Sequence, residues 1–135
     1  MEKLEFDLGL QEYAVPGGGI LRFNPADPSL YGRFAQAEEQ LAAVEKELVE
    51  KGKGAAPEVL LALMNEADAK AKALLGQVFG SGNDFHKALN GISLLAVCGN
   101  GQTVAQSLFA ALGKVLEQGA ERLVEKKLAA AKKVL

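Results

Sequence analysis

The chain has no tryptophan, one cysteine (Cys98) and one histidine (His86) among its 135 residues, and each shortage excludes something. A single thiol forms no disulfide within the chain. One thiol and one imidazole do not make the four-ligand set of a structural zinc site. Nucleophilic catalysis would need the two brought together with a third, orienting group, and nothing in the spacing signals that. Cys98 closes the longest apolar run, Leu94–Cys98, where a free cysteine behaves as a small core residue and where five residues are far too few to span a bilayer. The N-terminus has no basic stretch followed by an apolar run, so no signal peptide is expected. With 15 basic and 17 acidic residues the net charge is -2, which offers no general attraction for nucleic acid or an anionic membrane. The expectation is a cytoplasmic protein with no catalytic, cofactor-binding or metal-binding residues and no small-molecule substrate.

What the chain does have is helix. Hydrophobic residues make up 49%, but 22 of them are alanine, which favours helix and buries little area, so the core should be thin. Leu30, Phe34, Ala37, Leu41, Val44 and Leu48 recur at alternating spacings of four and three, drawing one apolar stripe along a helix. Leu60, Met64, Ala67, Ala71, Leu74 and Val78 repeat the pattern. Asp27 suits an N-cap and Pro28 the first helical position, while Lys51-Gly52-Lys53-Gly54 reads as a stop and Pro57 as a second start. Helix two should fade at Phe79-Gly80-Ser81-Gly82. A short helix from Asn83 or Asp84 to Leu89 follows, closed by Asn90-Gly91. For Ile92–Val97 periodicity leaves open a buried strand or the start of a helix. After Gly99-Asn100-Gly101, the leucines at 108, 112, 116, 123 and 128 indicate a third long helix, in which Gly113 and Gly119 mark either close contact or a less regular segment.

Ahead of the helices, Leu4, Phe6, Leu8 and Leu10 alternate with Glu5, Asp7 and Gly9, the period of a strand with one buried face. Tyr13 and Val15 lead to Pro16-Gly17-Gly18-Gly19, after which Ile20–Phe23 resumes. The three glycines read as a turn, since a phosphate cradle wants a helix N-terminus directly behind it and a strand-like segment follows. Gly99-Asn100-Gly101-Gln102-Thr103 echoes a phosphate loop but lacks its lysine. The fold class is therefore mainly α with a small N-terminal β-hairpin (α+β). Residues 1–27 form the hairpin or meander, and residues 28–135 a bundle or extended hairpin of about three long helices, the whole making one structural unit.

Charge is unevenly placed, at -5 over residues 1–100 and +3 over residues 101–135. Glu38, Glu39, Glu45, Glu47 and Glu50 read as the solvated face of helix one, and Lys126, Lys127, Lys132 and Lys133 complement the dipole of the last helix. More apolar stripe than a thin core needs implies contact surface for other polypeptides. The candidate partner-binding residues are Phe6, Leu8 and Phe23 on the hairpin edge and Leu108, Leu112, Leu116, Leu123 and Leu128 on the last helix.

Three blocks carry a resemblance: Leu4-Glu5-Phe6-Asp7-Leu8-Gly9-Leu10 with Tyr13-Ala14-Val15, then Phe23-Asn24-Pro25-Ala26-Asp27-Pro28 with Tyr31-Gly32-Arg33-Phe34, then Val78-Phe79-Gly80 through Asp84-Phe85 to Leu94-Leu95-Ala96. Together they resemble the tail assembly chaperones of long-tailed, non-contractile bacteriophages and prophages. The resemblance implies a non-enzymatic protein of the bacterial host cytoplasm that binds the long tape-measure protein and keeps it soluble while the tail is assembled. It also implies self-association into a homo-oligomer, and a longer frameshifted form for which the Lys132-Lys133 pair is a plausible coding site. A generic helical adaptor of unrelated bacterial function accounts for the same stripes.

Overall fold

The computed structural model describes residues 1–80 and 82–134, with side chains described up to Ala130. The element order is β1 (Gln11–Ala14), β2 (Ile20–Phe23), α1 (Pro28–Gly52), α2 (Pro57–Phe79), α3 (Phe85–Ala88) and α4 (Val104–Val134). The mainly helical α+β class expected from the sequence is what the chain adopts. None of the described helices is long and apolar enough to cross a membrane.

Local chemistry sets each boundary. Asp27 caps α1 by accepting from the Ser29 amide at 2.9 Å, and Pro28 opens the helix. Asp84 caps α3 in the same way through the Lys87 amide at 3.0 Å. At α4, Thr103 and Gln106 form a reciprocal capping box. The Thr103 amide donates to Gln106 Oε1 at 2.9 Å and the Gln106 amide donates to Thr103 Oγ1 at 3.1 Å. Two further donors of that first turn, the amides of Val104 and Ala105, reach the carbonyls of Ala96 and Leu94 at 2.9 Å each. The stretch Ile92–Val97 is thus neither strand nor helix. It is a loop whose carbonyls seat the start of α4, with one isolated bridge between Val97 and Thr103.

Helices α1 and α2 form an antiparallel hairpin, but the deepest face of α2 is not the predicted stripe. Met64, Ala67, Ala71 and Leu74 are half-buried, whereas Asp68, Lys72, Leu75 and Phe79 are buried along a second line of the helix. At the C-terminal end of α2 the aromatic residues gather. Phe79 meets Phe23 at 4.8 Å, Phe85 at 5.5 Å and Phe34 at 6.3 Å between ring centroids, and Tyr13 stacks on Phe23 at 4.7 Å. Phe34 in turn meets Phe109 of α4 at 6.1 Å. Every element therefore sends a ring into one cluster.

The N-terminal segment departs from expectation. Leu4, Phe6, Leu8 and Leu10 are exposed and lie outside any strand. Register gives the reason. The odd-numbered Tyr13 and Val15 pack against the core, so a continued strand would turn its even-numbered leucines toward solvent. The strand stops instead. Gly9 adopts φ +72, its amide bonds Asp7 Oδ1 at 2.7 Å, and Asn24 Nδ2 donates to the Leu8 carbonyl at 2.9 Å.

Close backbone approach explains most of the conspicuous glycines. A Cβ on Gly17 or Gly19 would fall 2.6 Å or 2.3 Å from backbone atoms of Ala88, so the triglycine turn lies directly on the end of α3. On β2, Asn83 takes both backbone groups of Arg22. Its Oδ1 accepts from the amide at 2.6 Å and its Nδ2 donates to the carbonyl at 2.8 Å, closing that edge of the hairpin.

Helix α4 sits on the Asn24-Pro25-Ala26 turn through Gly119, where a Cβ would lie 1.9 Å from the Pro25 carbonyl oxygen; around Gly113 there is open space. Gly119→Ala is expected to cost about 1–3 kcal/mol through the clash. Gly113→Ala is expected to add up to about 1 kcal/mol from helix propensity alone. Urea midpoints separate them, and a gain at both sites would unseat α4 from Pro25.

Tyr31 links the same junction, donating to the Pro25 carbonyl at 2.6 Å, with the Leu116 carbonyl also in reach. Burial pushes its phenol above the ordinary 10.0, and the Arg122 guanidinium offsets part of this. The folded state favours the protonated phenol, so this contribution is whole below pH 10.0 and lost as pH rises through the raised value. Melting temperatures of Tyr31→Phe should accordingly fall less steeply than wild type between about pH 8 and pH 11.

Candidate partner-binding groove

Beside the aromatic cluster, the hairpin turn, the loop after α3 and the first turns of α4 enclose an open groove of about 300 Å³. Val15 and Pro16 form one wall, Leu89 and Ile92 the floor and lip, and Val104, Leu108 and Ala111 the other wall. Cys98 and Ser107 are its polar members, with Sγ and Oγ 3.8 Å apart. Among the described residues none that lines it is charged. A second recess of about 260 Å³ opens between α1, α2 and the start of α4, where Leu41, Leu95 and Phe109 face Glu45 and Asp68.

A buried polar clasp holds the lip. Lys72 and Asp68, one helical turn apart and both buried, pair at 2.9 Å. The Lys72 ammonium also donates to the Ile92 carbonyl and to His86 Nδ1, each at 2.9 Å, and Asp68 Oδ1 accepts from the Leu94 amide at 2.8 Å. Because Nδ1 faces an ammonium it must accept, which assigns the imidazole proton to Nε2. Every donor of the ammonium is used, so a costly buried charge becomes a fixed support for residues 92–94. No buried side-chain polar atom among the described residues lacks a partner.

The structure divides the predicted partner-binding residues into three groups. Phe23, Leu112 and Leu116 are buried in the protein's own core and are corrected to packing residues, because the hairpin and α1 cover them. Leu108 is half-buried in the groove wall, and Leu123 is half-buried further along α4. Phe6, Leu8 and Leu128 stand exposed, at 73%, 63% and 58%. The imidazole of His86 faces Lys72 while the thiol of Cys98 faces Ser107, so the two occupy separate surroundings. The Lys132-Lys133 pair lies outside the described side chains.

Sequence reasoning missed Val15, Pro16, Leu89, Ile92 and Ala111 as groove residues, since four separate segments contribute them. It also missed the clasp. The signal was available in the spacing Asp68, Lys72, Leu75, Phe79, which places two opposite charges one turn apart on a line shared with core residues. On the outer side of the helical hairpin, Glu47 bridges Lys51 and Lys70 at 2.6 Å and 3.8 Å. The Lys51 hydrogen bond holds the Glu47 carboxyl below its ordinary range, but the pair is exposed and screened.

Asp68→Ala should destabilise the fold by about 3–5 kcal/mol, because it strands the Lys72 ammonium in the interior. Asp68→Leu combined with Lys72→Met should recover much of the loss while leaving the Leu94 amide faster to exchange with solvent. Denaturant titration and amide exchange read the two effects separately, and a harmless Asp68→Ala would deny the clasp its role.

No protein-family model matches the chain, and neither a curated protein nor a solved structure is similar to it, so the functional reading rests on the residues and their geometry.

Proposed function

We propose that the protein is a non-enzymatic binding protein whose groove receives apolar side chains from a helix of another polypeptide. The carrying observation is the uncharged, open, apolar groove of about 300 Å³ held at its lip by the buried clasp. That volume is at the low end for a small-molecule pocket, about 300–1,000 Å³. It suits a few aliphatic or aromatic anchors spaced along one face of a helix. Exposed Ile92 and Val97 extend the apolar surface beyond the groove itself.

The resemblance supplies the client. On this reading the partner is the tape-measure protein of a long-tailed phage or prophage, held soluble in the bacterial cytoplasm until the tail tube forms around it. A very long, mostly helical reading frame should then follow the gene directly. A neighbourhood without one removes the tape-measure client and leaves the helical adaptor.

Co-expression of the full chain with the product of that frame, scored by soluble yield and by titration of a client fragment, tests the groove. Ile92→Glu and Ala111→Arg change exposed positions at its rim and are expected to weaken client binding about tenfold or more with the melting temperature unchanged. Undiminished binding by both variants would refute the groove as the contact surface.

A further inference from the structure

Two surfaces remain that neither the core nor the groove uses, and both lie at one end of the molecule. The first is the N-terminal segment, where Leu4, Phe6, Leu8 and Leu10 are 89%, 73%, 63% and 51% exposed. Its charged side chains are Glu2, Glu5 and Asp7 against Lys3. The second is α4 beyond Gly119, where Val124 and Leu128 are 56% and 58% exposed. Between Arg122 and Leu128 its charges are Arg122, Lys126 and Lys127 against Glu125. Acidic and apolar therefore stands opposite basic and apolar.

Their placement follows from the packing already described. Gln11 and Tyr13 share a recess with Gln118, Arg122 and Glu125, so the N-terminal segment leaves the body beside the emerging end of α4. It does not lie down on that helix. The Gly9 turn and the hold of Asn24 on the Leu8 carbonyl set its path, and its apolar side chains stay in solvent. A sheet partner within the chain is closed to it by register, because its leucines fall on the face turned from the core. A surface that is apolar, flanked by charge of one sign and matched by its complement on the same chain is suited to a second copy. Since both halves sit at one end, a two-fold axis makes both contacts at once and closes the assembly at two chains.

We propose that two copies of this protein pair through this end, the acidic apolar N-terminal segment of each lying on the basic apolar end of α4 of the other. The contact leaves the groove free, so pairing and client binding are separable.

Sedimentation equilibrium of the full chain tests the proposal. The expected mass is twice the 14.2 kDa of one chain, with dissociation promoted by added salt. Glu5→Lys/Asp7→Lys and Lys126→Glu/Lys127→Glu are each expected to weaken pairing about tenfold or more while melting as wild type does, since all four residues are exposed. Combining both changes in one chain should restore the dimer, because the complementary signs are re-established across the two-fold axis. A monomer at every concentration, a mass that climbs past two chains, or a combined variant that stays dissociated would overturn the proposal. Ile92→Glu should still dimerise. A monomer that nevertheless binds the client removes this inference and leaves the proposed function standing.

Discussion

The gathering of rings around Phe79 is the contact on which the other elements depend. Phe79 closes α2, and it touches Phe23 from the hairpin, Phe34 from α1 and Phe85 from α3, while Phe34 hands the contact on to Phe109 of α4. A chain in which alanine supplies nearly a third of the hydrophobic residues buries little area per helical turn, so a few large side chains must do what a broad aliphatic core does elsewhere. Aromatic pairs at these separations add about 0.5–1.5 kcal/mol each beyond the area they bury. Of the eight aromatic residues only Phe6 stands outside this neighbourhood, which makes its exposure informative.

Around that hub the polar contacts act as position markers. Asn83 fixes the hairpin to the end of α2, Tyr31 fixes the Pro25 turn to α4, and the Asp68–Lys72 pair fixes the loop that starts α4. Arg33 adds to this set by donating to the Val78 carbonyl at 2.9 Å, in the last turn of α2. Each joins segments distant in the chain through directional bonds, which specify a geometry more sharply than apolar contact does. The groove is a product of these markers. Its walls come from the hairpin, the loop and α4, and only their fixed relative placement leaves a gap between them.

Packing that depends on one end of the α1–α2 hairpin leaves surface elsewhere. The far tip of that hairpin exposes Val49, Val59 and Leu61, and α4, about 46 Å long, runs on past its contact with Pro25. The molecule accordingly has a well-packed centre and sparsely covered extremities. Binding surfaces at the groove and at the α4 end follow from that distribution more directly than from any single motif.

Much of the secondary structure was legible in the chain because its signals are local. Asp27-Pro28 and Pro57 mark the two helix starts, Gly52 and Gly80 the stops, and a capping residue acts on amides two or three positions away whatever the rest of the molecule does. The Thr103–Gln106 box was equally local and readable. The fate of the apolar stripes was not. Leu112 and Leu116 turned inward while Leu128 stayed out on the same helix, a difference set by where the Pro25 turn meets Gly119. The leucines of residues 4–10 carry a strand's period, yet their parity relative to Tyr13 excludes them from the core. Asp68 and Lys72 looked like solvated charges and are buried, because a loop some twenty residues later brings its backbone to them. Sequence by itself determined where helices begin and end, through interactions spanning a turn or two. Which faces became interior was decided only by tertiary structure, since burial depends on what arrives from elsewhere in the chain.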